Sequence, residues 1–220
     1  MIRIKYCGLT TSDDVKHAAE AGIDAVGFVF VEKSKRYIAP EQAKTLIQQA
    51  KHKGLLTVAL FANQEASLVN KIIDLIEPQV LQFHGSETAE FCEQFDWPYW
   101  KAVPMKSDID FLAYIAIHPR AEMFLLDAFG EQQCGGSGES FQWFEFPEAL
   151  KSKLILAGGI NEQNVEQAIK VTGAEFIDTS SGIEEIPGVK SKQKMIKLAA
   201  KIKSLSNNKI VNIQENTHDD

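Results

Sequence analysis

Leu154-Ile155-Leu156-Ala157-Gly158-Gly159-Ile160-Asn161 runs from a short apolar strand through two glycines into a segment with a helix-start signal. A second stretch of the same design follows it, a strand over residues 175–179 that ends Asp178-Thr179-Ser180-Ser181-Gly182. Small, glycine-containing loops after the last two strands are the usual phosphate site of a parallel α/β barrel, because backbone N–H groups there can approach an anion closely. One glycine pair alone would mark no more than a tight turn. Two such loops in succession ask whether the rest of the chain is a barrel.

Short apolar runs at residues 2–6, 25–31, 55–61, 80–83, 99–103 and 123–126 precede these two. Helical patterns fill the gaps. They run from Thr11/Ser12 to before Gly22, from Pro40 to Gly54, and from Asn63 as N-cap to before Pro78. Others follow Ser86, span about Ser107 to before Pro119, lie around 144–150, run from Asn161 to before Gly173, and follow Ser191. Pro at a first helical position and Gly after a last one are the start and stop signals used. Strands alternating with helices imply right-handed βαβ units and a parallel sheet. Eight units before residue 206 predict one closed (β/α)8 TIM barrel over 1–205. An open doubly wound sheet is the rival, weakened because no GxGxxG follows the first strand. From Ser206 the sequence turns polar and loses periodicity, so 206–220 reads as a mobile tail.

Composition narrows the function. The chain has 220 residues, 45% of them apolar, enough for a sizeable core. A net charge of −7 and a pI near 5.3 argue against a general nucleic-acid or anionic-membrane binder. They leave room for an anionic small molecule bound at a local positive site. Three widely spaced cysteines make no disulfide framework, and no metal-ligand spacing appears. No apolar run approaches the roughly 20 residues of a membrane span, and no secretory signal is read. The expected compartment is a reducing cytoplasm.

Barrel enzymes carry their chemistry at the C-terminal strand ends. The first strand ends at Cys7, the second is followed by Ser34-Lys35-Arg36, the fourth ends Gln82-Phe83-His84-Gly85, and the sixth ends Leu125-Leu126-Asp127. Each has a bland reading: a buried inert thiol, a solvated basic turn, a packed histidine, an Asx-turn. Together they suggest a thiol base, a forked guanidinium for a carboxylate or phosphate, and a carboxyl able to act as general acid. Strand alternation puts Lys5 in the lumen with Cys7, where an unpaired charge is costly and a carboxylate partner is expected. A thiol and a carboxyl across a phosphosugar point to proton transfer, hence isomerisation with no cofactor and no metal.

The ordered set of segments resembles the phosphoribosylanthranilate isomerase family of tryptophan biosynthesis. Its segments are Lys5-Tyr6-Cys7-Gly8-Leu9-Thr10, Gly27-Phe28-Val29-Phe30 with Ser34 and Arg36, Phe61-Ala62-Asn63, and Gln82-Phe83-His84-Gly85-Ser86-Glu87. They continue with Leu125-Leu126-Asp127, Gly135-Gly136-Ser137-Gly138 with Phe141 and Trp143, and Leu156-Ala157-Gly158-Gly159-Ile160 with Asn164-Val165. The last is Asp178-Thr179-Ser180-Ser181-Gly182-Ile183-Glu184 with Pro187-Gly188-Val189-Lys190. The resemblance covers residues 2 to about 205. It implies an Amadori rearrangement with Asp127 as general acid, Cys7 as general base and Arg36 on the anthranilate carboxylate. Substrate binding would also involve His84, with Gly158, Gly159, Ser180, Ser181 and Gly182 around the phosphate. Asp178 would contact ribose hydroxyls or pair with Lys5. The implied partner is a small phosphosugar-anthranilate substrate, and the implied assembly is a monomer or homodimer.

Tyr6 and Phe83 depart from the family's usual aliphatics and should face the helix layer. Cys134 is read as a free loop thiol and Cys92 as a buried helical residue. The alternatives are another phosphosugar barrel enzyme, or a noncatalytic phosphate-ligand sensor on a decayed barrel. A thiol where the related histidine-pathway isomerase has aspartate disfavours the first, and an intact Cys7 and Asp127 disfavours the second.

Overall fold

The computed structural model describes residues 1–104, 110–127 and 143–215. The strands are β1 (Arg3–Cys7), β2 (Ala25–Val29), β3 (Leu56–Phe61), β4 (Val80–Phe83), β5 (Tyr99–Pro104), β6 (Met123–Asp127), β7 (Leu154–Ala157) and β8 (Phe176–Thr179). They pair in sequence order, each parallel to the next, and β8 pairs with β1 to close the barrel. A closed parallel barrel leaves no sheet edge, and it aims every strand's C-terminus at one face.

The helices are α1 (Ser12–Ala21), α2 (Pro40–His52), α3 (Ala66–Ile76), α4 (Ala89–Glu93), α5 (Phe111–Ala116), α6 (Val165–Thr172) and α7 (Lys192–Glu215). Local chemistry sets several ends. Thr11 and Asp14 form a capping box before α1, and Gly22 ends it in the left-handed region. Pro40 opens α2, and Thr88 and Asp110 cap α4 and α5. The expected sixth helix is instead a 3-10 helix, Glu148–Lys153. Asn63 does not cap α3: its backbone is left-handed (φ 58°) and its Oδ1 accepts from the Ser86 N–H, joining the loops after β3 and β4. α6 begins at Val165 rather than Asn161, because Asn161 Oδ1 accepts from the N–H groups of Gln163 and Asn164 in a turn ahead of it. A 3-10 helix (Ser181–Ile183) and a hairpin, β9 (Glu184–Ile186) with β10 (Val189–Lys190), follow β8. The alternation pattern gave no sign of this hairpin.

Side chains alternate between lumen and helix layer along each strand. Val58, Val80, Trp100, Met123, Ile155 and Phe176 pack inside the barrel, with Trp100 edge-on to Phe176 at 5.6 Å. Tyr6 and Phe83 face the helices, as expected; the Tyr6 hydroxyl donates to Met195 O at 2.6 Å, across to α7. Cys92 is buried in α4. Cys134 and the 135–138 glycine-rich loop lie outside the described residues.

α7 runs past Ser206, where the sequence reading begins a tail. Ser206 itself is buried, and its Oγ accepts from Ile2 N at 2.9 Å. It satisfies a backbone donor ahead of β1, so Ser206 belongs to the barrel.

Lys101 on β5 is fully buried and holds the loop after β4. Its ammonium donates to Gly85 O at 2.6 Å and Glu87 Oε2 at 3.1 Å, while Glu87 Oε1 accepts from Asn63 N at 2.7 Å. Removing one partner of a buried pair strands the other charge, at about 3–5 kcal/mol. Lys101→Met is expected to lose stability of that order in urea denaturation, and Lys101→Met with Glu87→Met to recover part of it. Parent stability in Lys101→Met would contradict this role.

Candidate active site

The C-terminal strand ends open into one cavity of about 580 Å³. Cys7, Arg36, His84, Asp127 and Asp178 all line it, and so do Gly158, Gly159, Ser180 and Ser181. The sequence expectation that these residues share a face is met.

Cys7 ends β1 and is 4% exposed. It pairs in register with Gly27 of β2, and a Cβ at Gly27 would lie 2.8 Å from Cys7 Sγ and 3.2 Å from Lys5 Nζ. Glycine is the residue that leaves room for both groups. Lys5, lumen-facing and fully buried, meets Asp178 Oδ1 at 2.8 Å, which answers the pairing left open by the sequence. Asp178 also remains on the cavity wall.

Burial pushes the Cys7 thiol above its ordinary value. Lys5 and, less strongly, Lys190 pull it back, whereas Asp178 adds to the rise. A positive neighbour favours the thiolate, as the sequence suggested, but desolvation outweighs it. Burial alone would lower the Lys5 ammonium, yet Asp178 and Cys7 hold it above the ordinary lysine value.

Asp127 ends β6, its side chain 22% exposed. Its Oδ2 lies 3.0 Å from His84 Nε2, across the mouth from the end of β4. His84 Nδ1 in turn lies 3.2 Å from the Nε2 of Gln82, whose side chain points into the lumen. His84 thus lines the cavity and faces Asp127.

Arg36 reaches in from the loop after β2. Its Nε meets Glu184 Oε1 at 2.6 Å and its Nη2 meets Glu184 Oε2 at 2.9 Å, a forked pairing. Lys190 Nζ reaches the same carboxylate at 2.8 Å and donates to Ser180 O at 3.1 Å. Burial raises the Glu184 carboxyl, but bonds from Arg36 and Lys190 outweigh it and hold it below the usual range. Burial also lowers the Lys190 ammonium, with Glu184 opposing.

The loops after β7 and β8 interlock. Gly158 and Gly159 both have positive φ, 84° and 61°. The side-chain amides of Asn161 and Asn164 both donate to Gly159 O at 3.0 Å, and Thr179 Oγ1 donates to Ile160 O at 2.6 Å. Ser180 Oγ donates to Cys7 O at 2.8 Å, tying this loop to the thiol's own strand. Gly182 is not on the cavity wall. It sits behind it, where a Cβ would come within 1.9 Å of Ile160 O.

Gln82, Glu184, Lys190 and Gly27 gained no role from the sequence. Gly27 carried a signal, a glycine inside an apolar strand. Glu184 and Lys190 carried none, because the hairpin that brings them to Arg36 has no periodic signature. Among the described residues, no group of three or more His, Cys, Asp or Glu is placed to hold a metal ion, and no helix is long and apolar enough to cross a membrane.

Residues 4–201 match the family model for N-(5'-phosphoribosyl)anthranilate (PRA) isomerase. A relative of that name from Legionella pneumophila (strain Paris) is 41% identical over 194 residues, covering 88% of this chain and 93% of its own. The crystal structure of phosphoribosyl anthranilate isomerase from Thermotoga maritima is similar, with a TM-score of 0.79 and 32% identity over 90% of this chain and 97% of that one. A phosphoribosyl anthranilate isomerase solved with reduced 1-(o-carboxyphenylamino)-1-deoxyribulose 5-phosphate has a TM-score of 0.74 and 31% identity, over 90% of this chain and 97% of that one. The chain belongs to the N-(5'-phosphoribosyl)anthranilate isomerase family, isomerases of tryptophan biosynthesis.

Proposed function

We propose that the chain converts N-(5-phospho-β-D-ribosyl)anthranilate to 1-(2-carboxyphenylamino)-1-deoxy-D-ribulose 5-phosphate, a cofactor-independent Amadori rearrangement, and that Cys7 and Asp127 carry it. The observation behind this reading is that a thiol and a carboxyl face one cavity, with Arg36 and the β7–β8 loops on its rim. The family's solved complex with a reduced form of the product supports the choice of ligand.

In the proposed sequence Asp127 protonates the furanose ring oxygen, the C1–O bond breaks and a Schiff base forms between C1 and the anthranilate nitrogen. Cys7, as thiolate, removes the proton from C2 to give an enolamine. A proton then adds at C1 as the C2 hydroxyl loses its own, leaving the ketone. The phosphate is held at Gly159, Ser180 and Ser181, mainly by backbone N–H groups. Gly182 serves from behind, by letting the two loops meet. Val29, Leu60 and Val31 pack beside Cys7 and offer an apolar wall for the aromatic ring. Arg36 takes the anthranilate carboxylate. Glu184 engages one edge of its guanidinium, so the remaining N–H groups are presented in a fixed direction.

Loss of a positioned acid or base removes about 10²- to 10⁴-fold of rate. Cys7→Ala and Asp127→Asn are each expected to reduce kcat by that order in a fluorescence assay of anthranilate-linked substrate turnover. Full activity in both variants would end this mechanism. Glu184→Gln loosens the Arg36 fork at a charge-assisted hydrogen bond, worth about 1.5–3 kcal/mol. The expected result is a KM raised by about tenfold or more with a smaller change in kcat, and an unchanged KM would show that Glu184 does not orient Arg36.

A further inference from the structure

Gln82 is a fully buried amide on the lumen side of β4, one alternation above the apolar Val80 and on the wall of the cavity that Cys7, His84 and Asp127 also line. Burying an amide costs free energy unless hydrogen bonds compensate. Its Oε1 has no hydrogen-bond partner among the described residues. Its Nε2 has one, His84 Nδ1 at 3.2 Å. Among the described residues its side-chain amide thus makes one hydrogen bond, and that bond leads to Asp127 through the imidazole, whose Nε2 lies 3.0 Å from Asp127 Oδ2.

The chemistry of this line is directional. An amide nitrogen can donate and cannot accept. Facing His84 Nδ1, it requires a lone pair there. A neutral imidazole bears one proton, which is then on Nε2, the nitrogen facing Asp127. His84 in this state donates to Oδ2, and Oδ2 accepts.

We propose that Gln82 is a positioning residue for the general acid: it holds His84 in the Nε2–H tautomer, so that His84 donates to Asp127 Oδ2 and the transferable proton is carried on Oδ1. This rests on the reading of Asp127 as the acid. Before transfer, Oδ2 is the carbonyl oxygen of a carboxylic acid and accepts from His84, while Oδ1 bears the proton. The Oδ1–H bond breaks and a bond forms from that proton to the furanose ring oxygen. The electron pair left behind is shared over both carboxylate oxygens. The His84 proton stays on Nε2 throughout, so one proton moves and His84 ends as it began. Its hydrogen bond, made first to a neutral carbonyl, is made afterwards to a carboxylate and is stronger. An interaction that strengthens as charge develops lowers the barrier rather than merely binding the ground state. With the other tautomer, His84 Nε2 would present a lone pair to Asp127 and would favour the proton on Oδ2, away from its destination.

The test is nitrogen-15 NMR of histidine-labelled protein, with the His84 signals assigned by their loss in His84→Asn. The neutral ring of His84 is expected to be the Nε2–H tautomer. Gln82→Glu, which puts an acceptor at Nδ1, is expected to shift protonation to Nδ1. Gln82→Met, which removes donor and acceptor alike, is expected to give a mixture. Both variants are expected to lower kcat by about 10- to 100-fold, the usual range for an outer partner of a working group, with KM little changed. An Nδ1–H tautomer in the parent overturns the proposal, whether or not a variant folds well. A Gln82→Met protein with a shifted tautomer and the parent's kcat overturns it too. A parent inactive on the phosphoribosyl substrate overturns the isomerase reading instead, a failure told apart because the tautomer is measured without turnover.

Discussion

An ammonium sealed inside a barrel must be paired, and Lys5 is paired with Asp178 at 2.8 Å. The two residues sit opposite each other in the register that joins β1 to β8, the seam that closes the sheet. A slip of one residue would turn Lys5 toward the helix layer and leave Asp178 with an apolar neighbour, so the pair pins the closure. It also sets the electrostatics of the mouth. Lys5 lies beside the Cys7 thiol, and the space for both comes from Gly27 on the neighbouring strand. Fold and candidate chemistry therefore depend on the same few atoms.

From that seam the charges spread in two directions. Toward β2, Lys190 and Arg36 share the Glu184 carboxylate, and Lys190 reaches back to Ser180, whose hydroxyl is bound to Cys7 O. Toward β4 and β6, Gln82, His84 and Asp127 form a separate polar line. The basic groups thus lie on the side of the β8 loop, and the carboxyl proposed as acid lies across the cavity. That polarity suits a substrate with two anionic ends and a ring oxygen to be protonated between them.

The barrel was legible because short apolar strands alternate with helical periods along most of the chain, even though a 3-10 helix stands where the sixth helix was expected. The candidate site was legible where a cavity-lining residue ends such a strand: Cys7, His84, Asp127 and Asp178 all stand at or next to a strand's last residue. It was not legible where function depends on a contact far along the chain. Arg36 and Glu184 are separated by 148 positions, and nothing local in either segment announces the other. Asn63 has the composition of a cap yet spends its side chain on the next loop, and Ser206 looks like the start of a tail yet caps the N–H of Ile2. In these places tertiary hydrogen bonding overrides a local preference.

Pairing with Asp178 leaves Lys5 a weaker field at Cys7 than a lone ammonium would exert, and burial prevails at the thiol. The most direct measurement is a pH titration of Cys7 by thiolate ultraviolet absorbance, in a protein with Cys92 and Cys134 replaced by serine. The expected midpoint lies above that of an ordinary thiol. It should rise further in Lys5→Met, which removes the cation, and fall in Asp178→Asn, which removes the opposing charge. Shifts of opposite sign cannot come from general loosening of the barrel. A midpoint that stays the same in both variants, or moves the same way in both, would contradict the role assigned to the pair.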